Sequence, residues 1–157
     1  MVRAATVPEY RFSLLIADDH HLVSEAFAHL LEQTGRYSVT IARDALEARA
    51  EIHATGGFDL VLLDLNMPGM DGPSAVEDIV RANAPGRVAV LTGGTSGSRQ
   101  STLFCSGVVG LILKSQPAKD ILDALDSILD GELYFPRADD RSLIHAISSA
   151  AVQPQIV

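Results

Sequence analysis

Four short apolar runs in this chain each close on a polar residue. Phe12-Ser13-Leu14-Leu15-Ile16-Ala17 runs into Asp18-Asp19, and Asp59-Leu60-Val61-Leu62-Leu63 runs into Asp64. Val88-Ala89-Val90-Leu91 ends on Thr92, and Gly110-Leu111-Ile112-Leu113 on Lys114. Runs this short, rich in Val, Ile and Leu and without polar alternation, suit strands of a parallel sheet covered on both faces. Parallel strands need crossovers, and the segments between the runs supply helical spacing.

Along the chain, Phe12 to Ala17 reads as a first strand. A helix from His20 to Gln33 follows, with Leu22, Val23, Ala26, Phe27, Leu30 and Leu31 at helical spacing, ended by Gly35. Tyr37 to Ala42 is a second strand, and Asp44 caps a helix to about Thr55, which Gly56-Gly57 breaks. Asp59 to Asp64 is the third strand. After the loop Asn66-Met67-Pro68-Gly69-Met70-Asp71-Gly72, Pro73 starts a helix reaching about Asn83. Arg87 to Thr92 and Gly110 to Leu113 are strands four and five. The stretch from Gly93 to Thr102 between them has no large apolar anchor. Pro117 to Asp130 forms the last helix, with Ile121, Leu122, Leu125, Ile128 and Leu129 on one face. Tyr134-Phe135-Pro136 then leaves the domain, and Arg141 to Ala151 has room for one more amphipathic turn or two. The expected fold is α/β: a doubly wound five-stranded parallel sheet, order 2-1-3-4-5, with helices on both faces. The expected organisation is an N-terminal tail over 1–11, one domain over 12–131, and a linker or tail over 132–157.

In such a sheet ligands sit beyond the carboxyl ends of the strands, where all four polar endings emerge. Adjacent carboxylates facing Asp64 across neighbouring strands repel strongly, and a bound cation is the usual remedy. Asp18, Asp19 and Asp64 are therefore the expected metal ligands, with the backbone carbonyl of Asn66 as a further one. Magnesium suits this all-oxygen set. With a metal and a lysine offsetting the negative charge, Asp64 is able to accept a phosphoryl group as an aspartyl phosphate. Thr92 and Lys114 are individually unremarkable strand endings; beside the acids, Lys114 has an anionic partner in Asp64 and later in phosphoryl oxygens.

These segments, Leu15-Ile16-Ala17-Asp18-Asp19-His20, Asp59 to Gly72, Val90-Leu91-Thr92 and Gly110 to Ser115, resemble the receiver domain of bacterial two-component response regulators over residues 12 to 131. Ala118 to Leu125 and Gly131 to Pro136 resemble the LuxR/NarL/FixJ branch. The resemblance implies a flavodoxin-like (CheY-like) fold and a phosphorylation switch. Asp64 takes the phosphoryl group from a phosphohistidine on a sensor histidine kinase, Asp18 and Asp19 hold Mg2+, and Thr92 and Lys114 read the new oxygens. It also implies a homodimer on phosphorylation and a LuxR-type DNA-binding output for transcription regulation. Two departures stand out. Leu111 occupies a position that is usually aromatic and rotates with the threonine. The stretch after Thr92, part of a frequent dimer face, lacks the usual charged and apolar residues, so the first and last helices compete as a dimer surface.

Composition narrows the alternatives. With 47% hydrophobic and 20% charged residues among 157, the chain is globular rather than disordered or fibrous. Twenty acids against 12 Lys and Arg, a net charge of -8, give no basic face for phosphates of nucleic acid, so DNA is reached only through an output domain that this sequence lacks. The single cysteine, Cys105, fits a reducing cytosol, and no leader or membrane span is legible, so a cytoplasmic location is expected. A phosphohydrolase with an aspartyl intermediate would carry a second Asp two residues after the nucleophile, where this chain has Asn66. A phosphate-independent binding module is the third class, disfavoured by the complete set of five side chains. His20 and His21 invite a metal or phosphorelay reading, which is disfavoured because a phosphodonor histidine belongs on an exposed helix of a kinase bundle, whereas this pair opens a helix beside the acids. Asn66 and Gly94, with little bulk or charge to guide a water, suggest slow to moderate phosphoryl loss.

Overall fold

The computed structural model describes residues 11–70, 72–93 and 102–135. Expectations placed on the N-terminal tail before Arg11, on Asp71, on the 94–101 stretch with Gly94 and on Arg141 to Ala151 lie outside them. The described elements run β1 (Phe12–Ala17), α1 (His21–Gln33), β2 (Tyr37–Ala42), α2 (Ala45–Thr55), β3 (Leu60–Leu63), α3 (Pro73–Asn83), β4 (Arg87–Thr92), β5 (Gly110–Leu113) and a last helix α4 (Ala118–Leu129). One five-stranded sheet has the order β2-β1-β3-β4-β5, and every pairing between its strands is parallel. This is the doubly wound topology expected from the apolar runs.

The strands alternate between two cores, because successive side chains point to opposite faces. Leu15, Val61, Leu63, Val88, Val90 and Leu111 face α2 and α3. Leu14, Ile16, Leu60, Leu62, Ala89 and Ile112 face α1 and α4. Both sets are almost completely buried, which explains why the runs show no polar alternation.

Local chemistry sets the helix ends. Asp44 accepts a hydrogen bond from the Glu47 backbone N–H at 2.7 Å, and Glu47 accepts one from the Arg43 N–H at 3.2 Å, so the start of α2 is tied from both sides. Asn83, fully buried at the end of α3, accepts from Phe58 N at 2.8 Å. Its amide donates to the carbonyls of Phe58 at 3.1 Å and Arg87 at 3.0 Å. One side chain thereby joins the approach to β3 with the start of β4, at the sheet end opposite the acids.

Helix α1 meets the sheet with only part of the expected apolar set, Leu31 being buried and Phe27 packed against the core. Ser24, Ala28 and Leu31 are inside, whereas Leu22 is 85% and Val23 49% exposed. The apolar residues of this helix cover more than one face, and only one can meet the sheet. Ser24 is tolerated inside because its hydroxyl donates to the His20 carbonyl. The chain also stays on the domain beyond α4 instead of leaving at Tyr134. Tyr134 bridges Gly110 in parallel, Leu111 N donates to Tyr134 O at 2.7 Å, and Phe135 meets Phe104 edge-on at 5.5 Å.

Candidate functional site

The sheet register delivers the polar endings to one edge. Ala17 pairs with Leu63 and Leu63 with Val90, and the ladder continues one step beyond the strands, with Asp64 N donating to Ala17 O and Lys114 N to Thr92 O. Asp18 and Asp64 thus leave adjacent central strands at the same level.

Each buried acid divides its two oxygens between two tasks. Asp18 Oδ1 accepts the His20 N–H at 3.0 Å, and Asp64 Oδ1 accepts the Asn66 N–H at 3.0 Å, local turns that fix both carboxylates. Their Oδ2 atoms face Lys114, whose ammonium lies 2.6 Å from Asp18 and 3.1 Å from Asp64. The Asp18 contact is misaligned for a hydrogen bond but acts as an ion pair, because charge attraction is not directional. Lys114 was expected to pair with Asp64; the structure adds Asp18 as its nearer partner. Burial pushes the Asp18 carboxyl up, but the Lys114 ammonium and the His20 contacts outweigh this and hold it below the usual carboxylate range. Burial lowers Lys114, and Asp18 and Asp64 more than reverse that, so its ammonium is held to higher pH than usual.

Asp19 sits at the rim, 37% exposed. Asn66 is exposed, its N–H on Asp64. Thr92 is fully buried on the strand face of Val88 and Val90, and its hydroxyl has no hydrogen-bond partner among the described residues. A buried unsatisfied hydroxyl is costly and calls for an explanation. Leu111 is fully buried in the same core.

The sequence disfavours a metal reading of His20, yet its ring is part of the cluster. Nδ1 lies 2.8 Å from Asp18 Oδ1, 3.3 Å from Asp19 Oδ1 and 3.5 Å from Asp64 Oδ2. It occupies the N-cap position of α1 without capping it, because the imidazole turns back to the acids. The Asp18 hydrogen bond and charge, helped by Asp19 and opposed by Lys114, raise its pKa. One clue was readable: histidine is a poor N-cap, and it follows two acids directly.

Ligand atoms of Asp18, Asp19, His20 and Asp64 all lie within 4.8 Å of one another. Three hard carboxylates at that spacing fit a divalent cation. The Gly69 backbone supports the loop after Asp64: its φ is +87°, and a Cβ there would stand 2.9 Å from Ala45 Cβ. Only glycine lets this loop rest on the start of α2, where Ala45 N donates to Pro68 O.

Fold and cluster together define a signalling class of doubly wound domain, with a charged site at the strand ends. Residues 14–126 match the family described as the response regulator receiver domain, and the chain belongs to that family. It is similar to the glycerol metabolism activator of Pseudomonas putida, 34% identical over 130 residues, covering 80% of this chain and 57% of that protein. It is similar also to the response regulator UvrY of Escherichia coli strain K12, 27% identical over 122 residues, 78% of this chain and 56% of that protein. Among solved structures, a LuxR-family two-component response regulator from Aurantimonas sp. SI85-9A1 superposes with a TM-score of 0.74 at 26% identity, covering 91% of this chain and 99% of the other. A LuxR-family DNA-binding response regulator from Silicibacter pomeroyi gives 0.70 at 28%, with 80% and 98% covered. The chain spans a little over half the length of the curated relatives it matches, and is a receiver domain of the LuxR/NarL type.

Proposed function

We propose that Asp64 is the phosphoacceptor of this receiver domain. The observation that carries the reading is the pairing of a buried, fixed Asp64 carboxylate with the Lys114 ammonium at 3.1 Å on a sheet edge that also holds a buried Thr92 hydroxyl without a partner among the described residues. An oxygen of Asp64 attacks the phosphorus of a phosphohistidine on a sensor kinase; the P–N bond breaks and the imidazole leaves with its electron pair. Lys114 exchanges its carboxylate contacts for the phosphoryl oxygens, and Thr92 donates a hydrogen bond to them. Mg2+, held by Asp18, Asp19, Asp64 and the Asn66 carbonyl, would supply the charge that lets a phosphate approach three carboxylates. The domain catalyses only its own phosphorylation and dephosphorylation.

Thr92 moving toward the phosphoryl group shifts the end of β4, the local change by which the switch is passed on. With the domain extending through Tyr134 and Phe135 and a linker beyond them, the output is a homodimer and, in a longer protein, a LuxR-type domain that binds DNA in the cytoplasm. Leu22, exposed in the first turn of α1 next to the acids, offers a kinase an apolar foothold. No described helix is long and apolar enough to cross a membrane. Light scattering before and after beryllofluoride with magnesium tests the switch. A shift to dimer in wild type, absent from Asp64→Asn, is expected; an unchanged mass in both would overturn the dimer output.

A further inference from the structure

The phosphoacceptor reading assigns tasks to three acids, a threonine and a lysine, and none to the imidazole in their midst. His20 Nδ1 is within 3.5 Å of an oxygen from each of Asp18, Asp19 and Asp64. Neighbouring ligands of an octahedral ion with bonds of about 2.1 Å stand roughly 3 Å apart, and the observed 2.8, 3.3 and 3.5 Å separations bracket that spacing. The ring makes no cap bond to α1; its Nδ1 is hydrogen-bonded to Asp18 Oδ1 at 2.8 Å, a contact that a cation shared by both atoms would replace, and at 59% exposed it is free to pivot.

We infer that His20 is a metal-selecting ligand: with the three carboxylates it forms a mixed nitrogen and oxygen set that takes a first-row transition dication in preference to magnesium. Magnesium favours oxygen donors and keeps its waters, whereas imidazole suits transition ions. One side chain therefore converts a site for a hard ion into one that also answers to a borderline ion. The inference rests on the acid cluster being the metal site of the phosphoacceptor reading, and it adds a nitrogen ligand to it.

The test uses manganese as the probe, on the full chain. Pulsed EPR of the Mn2+-loaded protein is expected to show a directly bound nitrogen that disappears in His20→Gln and persists in His21→Gln. Titration of both ions is expected to show that His20→Gln weakens manganese binding at least tenfold more than magnesium binding. Glutamine keeps an N–H donor toward Asp18, and circular dichroism verifies the fold. No nitrogen coupling in wild type, coupling that depends on His21, or an equal loss for both ions would overturn the inference. Phosphoryl transfer to the wild type in magnesium is measured separately. Transfer without a nitrogen signal removes the ligand role alone, and a nitrogen signal without transfer removes the phosphoacceptor reading alone.

Discussion

Replacing Lys114 by methionine removes the cation that lies 2.6 Å from Asp18 and 3.1 Å from Asp64 while keeping most of its apolar stem. Both acids are almost fully buried, at 2% and 1% exposed, so neither regains water when the ammonium goes. Removing one partner of a buried ion pair costs about 3 to 5 kcal/mol. Lys114 itself is 18% exposed, and His20 stays beside Asp18, which places the expected loss near the lower end. About 3 kcal/mol is a large share of the 5 to 15 kcal/mol that holds a typical domain together. Urea unfolding in EDTA reads this loss directly as a lower midpoint with an unchanged slope. Magnesium restores part of it, because a ligand at a hundred times its Kd contributes about 2.7 kcal/mol and the lysine-free cluster attracts it more. Asp64→Asn in the Lys114→Met background relieves the repulsion, so the double variant is more stable than the sum of the single changes allows. A Lys114→Met protein within about 0.5 kcal/mol of wild type in EDTA, a difference ordinary for neutral surface changes, would refute the electrostatic account of this site.

Thr92→Val removes a buried hydroxyl that has no hydrogen-bond partner among the described residues, so the resting protein keeps or gains stability in thermal melts, while the beryllofluoride-dependent change is lost. Asn83→Ala strands the Phe58 N–H and the carbonyls of Phe58 and Arg87 and costs about 2 to 4 kcal/mol in urea unfolding. Gly69→Ala meets both a positive φ and the Ala45 side chain and loses about 2 kcal/mol in the same assay. Tyr37 is raised to about 12 by burial, then by the charge of Asp126. Its neutral form is favoured by folding, so its contribution is complete below pH 10 and fades as pH rises through about 12. Two units correspond to about 2 to 3 kcal/mol, so the stability gap between wild type and Tyr37→Phe narrows by that order across this window, and a gap independent of pH contradicts the assignment.

The sheet was legible because its strands are buried on both faces, which leaves uninterrupted Val, Ile and Leu runs, and because parallel order follows from the helical segments between them. Asp18, Asp64, Thr92 and Lys114 were legible for the same reason, since a polar residue closing such a run must emerge at the sheet edge. Side-chain direction was not. Nothing in the spacing of Lys114 says that it reaches Asp18 more closely than Asp64; that depends on the stem crossing β4 and β3 to the far acid. A metal reading of His20 is disfavoured in the sequence because a helix-opening histidine ordinarily faces solvent, and only three-dimensional crowding of carboxylates brings its ring against the acids. Part of the buried stripe of α1 escaped the hydrophobic pattern because Ser24 satisfies its own hydroxyl within the helix. Tyr134 reads as a linker residue, yet β5 is an edge strand with free backbone groups, and pairing with that edge outweighs the local signal.

Incubation with magnesium and acetyl phosphate, followed by intact mass and peptide mapping, tests the central claim most directly. One phosphoryl group on the wild type, mapped to Asp64 and absent from Asp64→Asn, is the expected result. A wild type that gains no mass, or an Asp64→Asn protein labelled to the same extent, would contradict it.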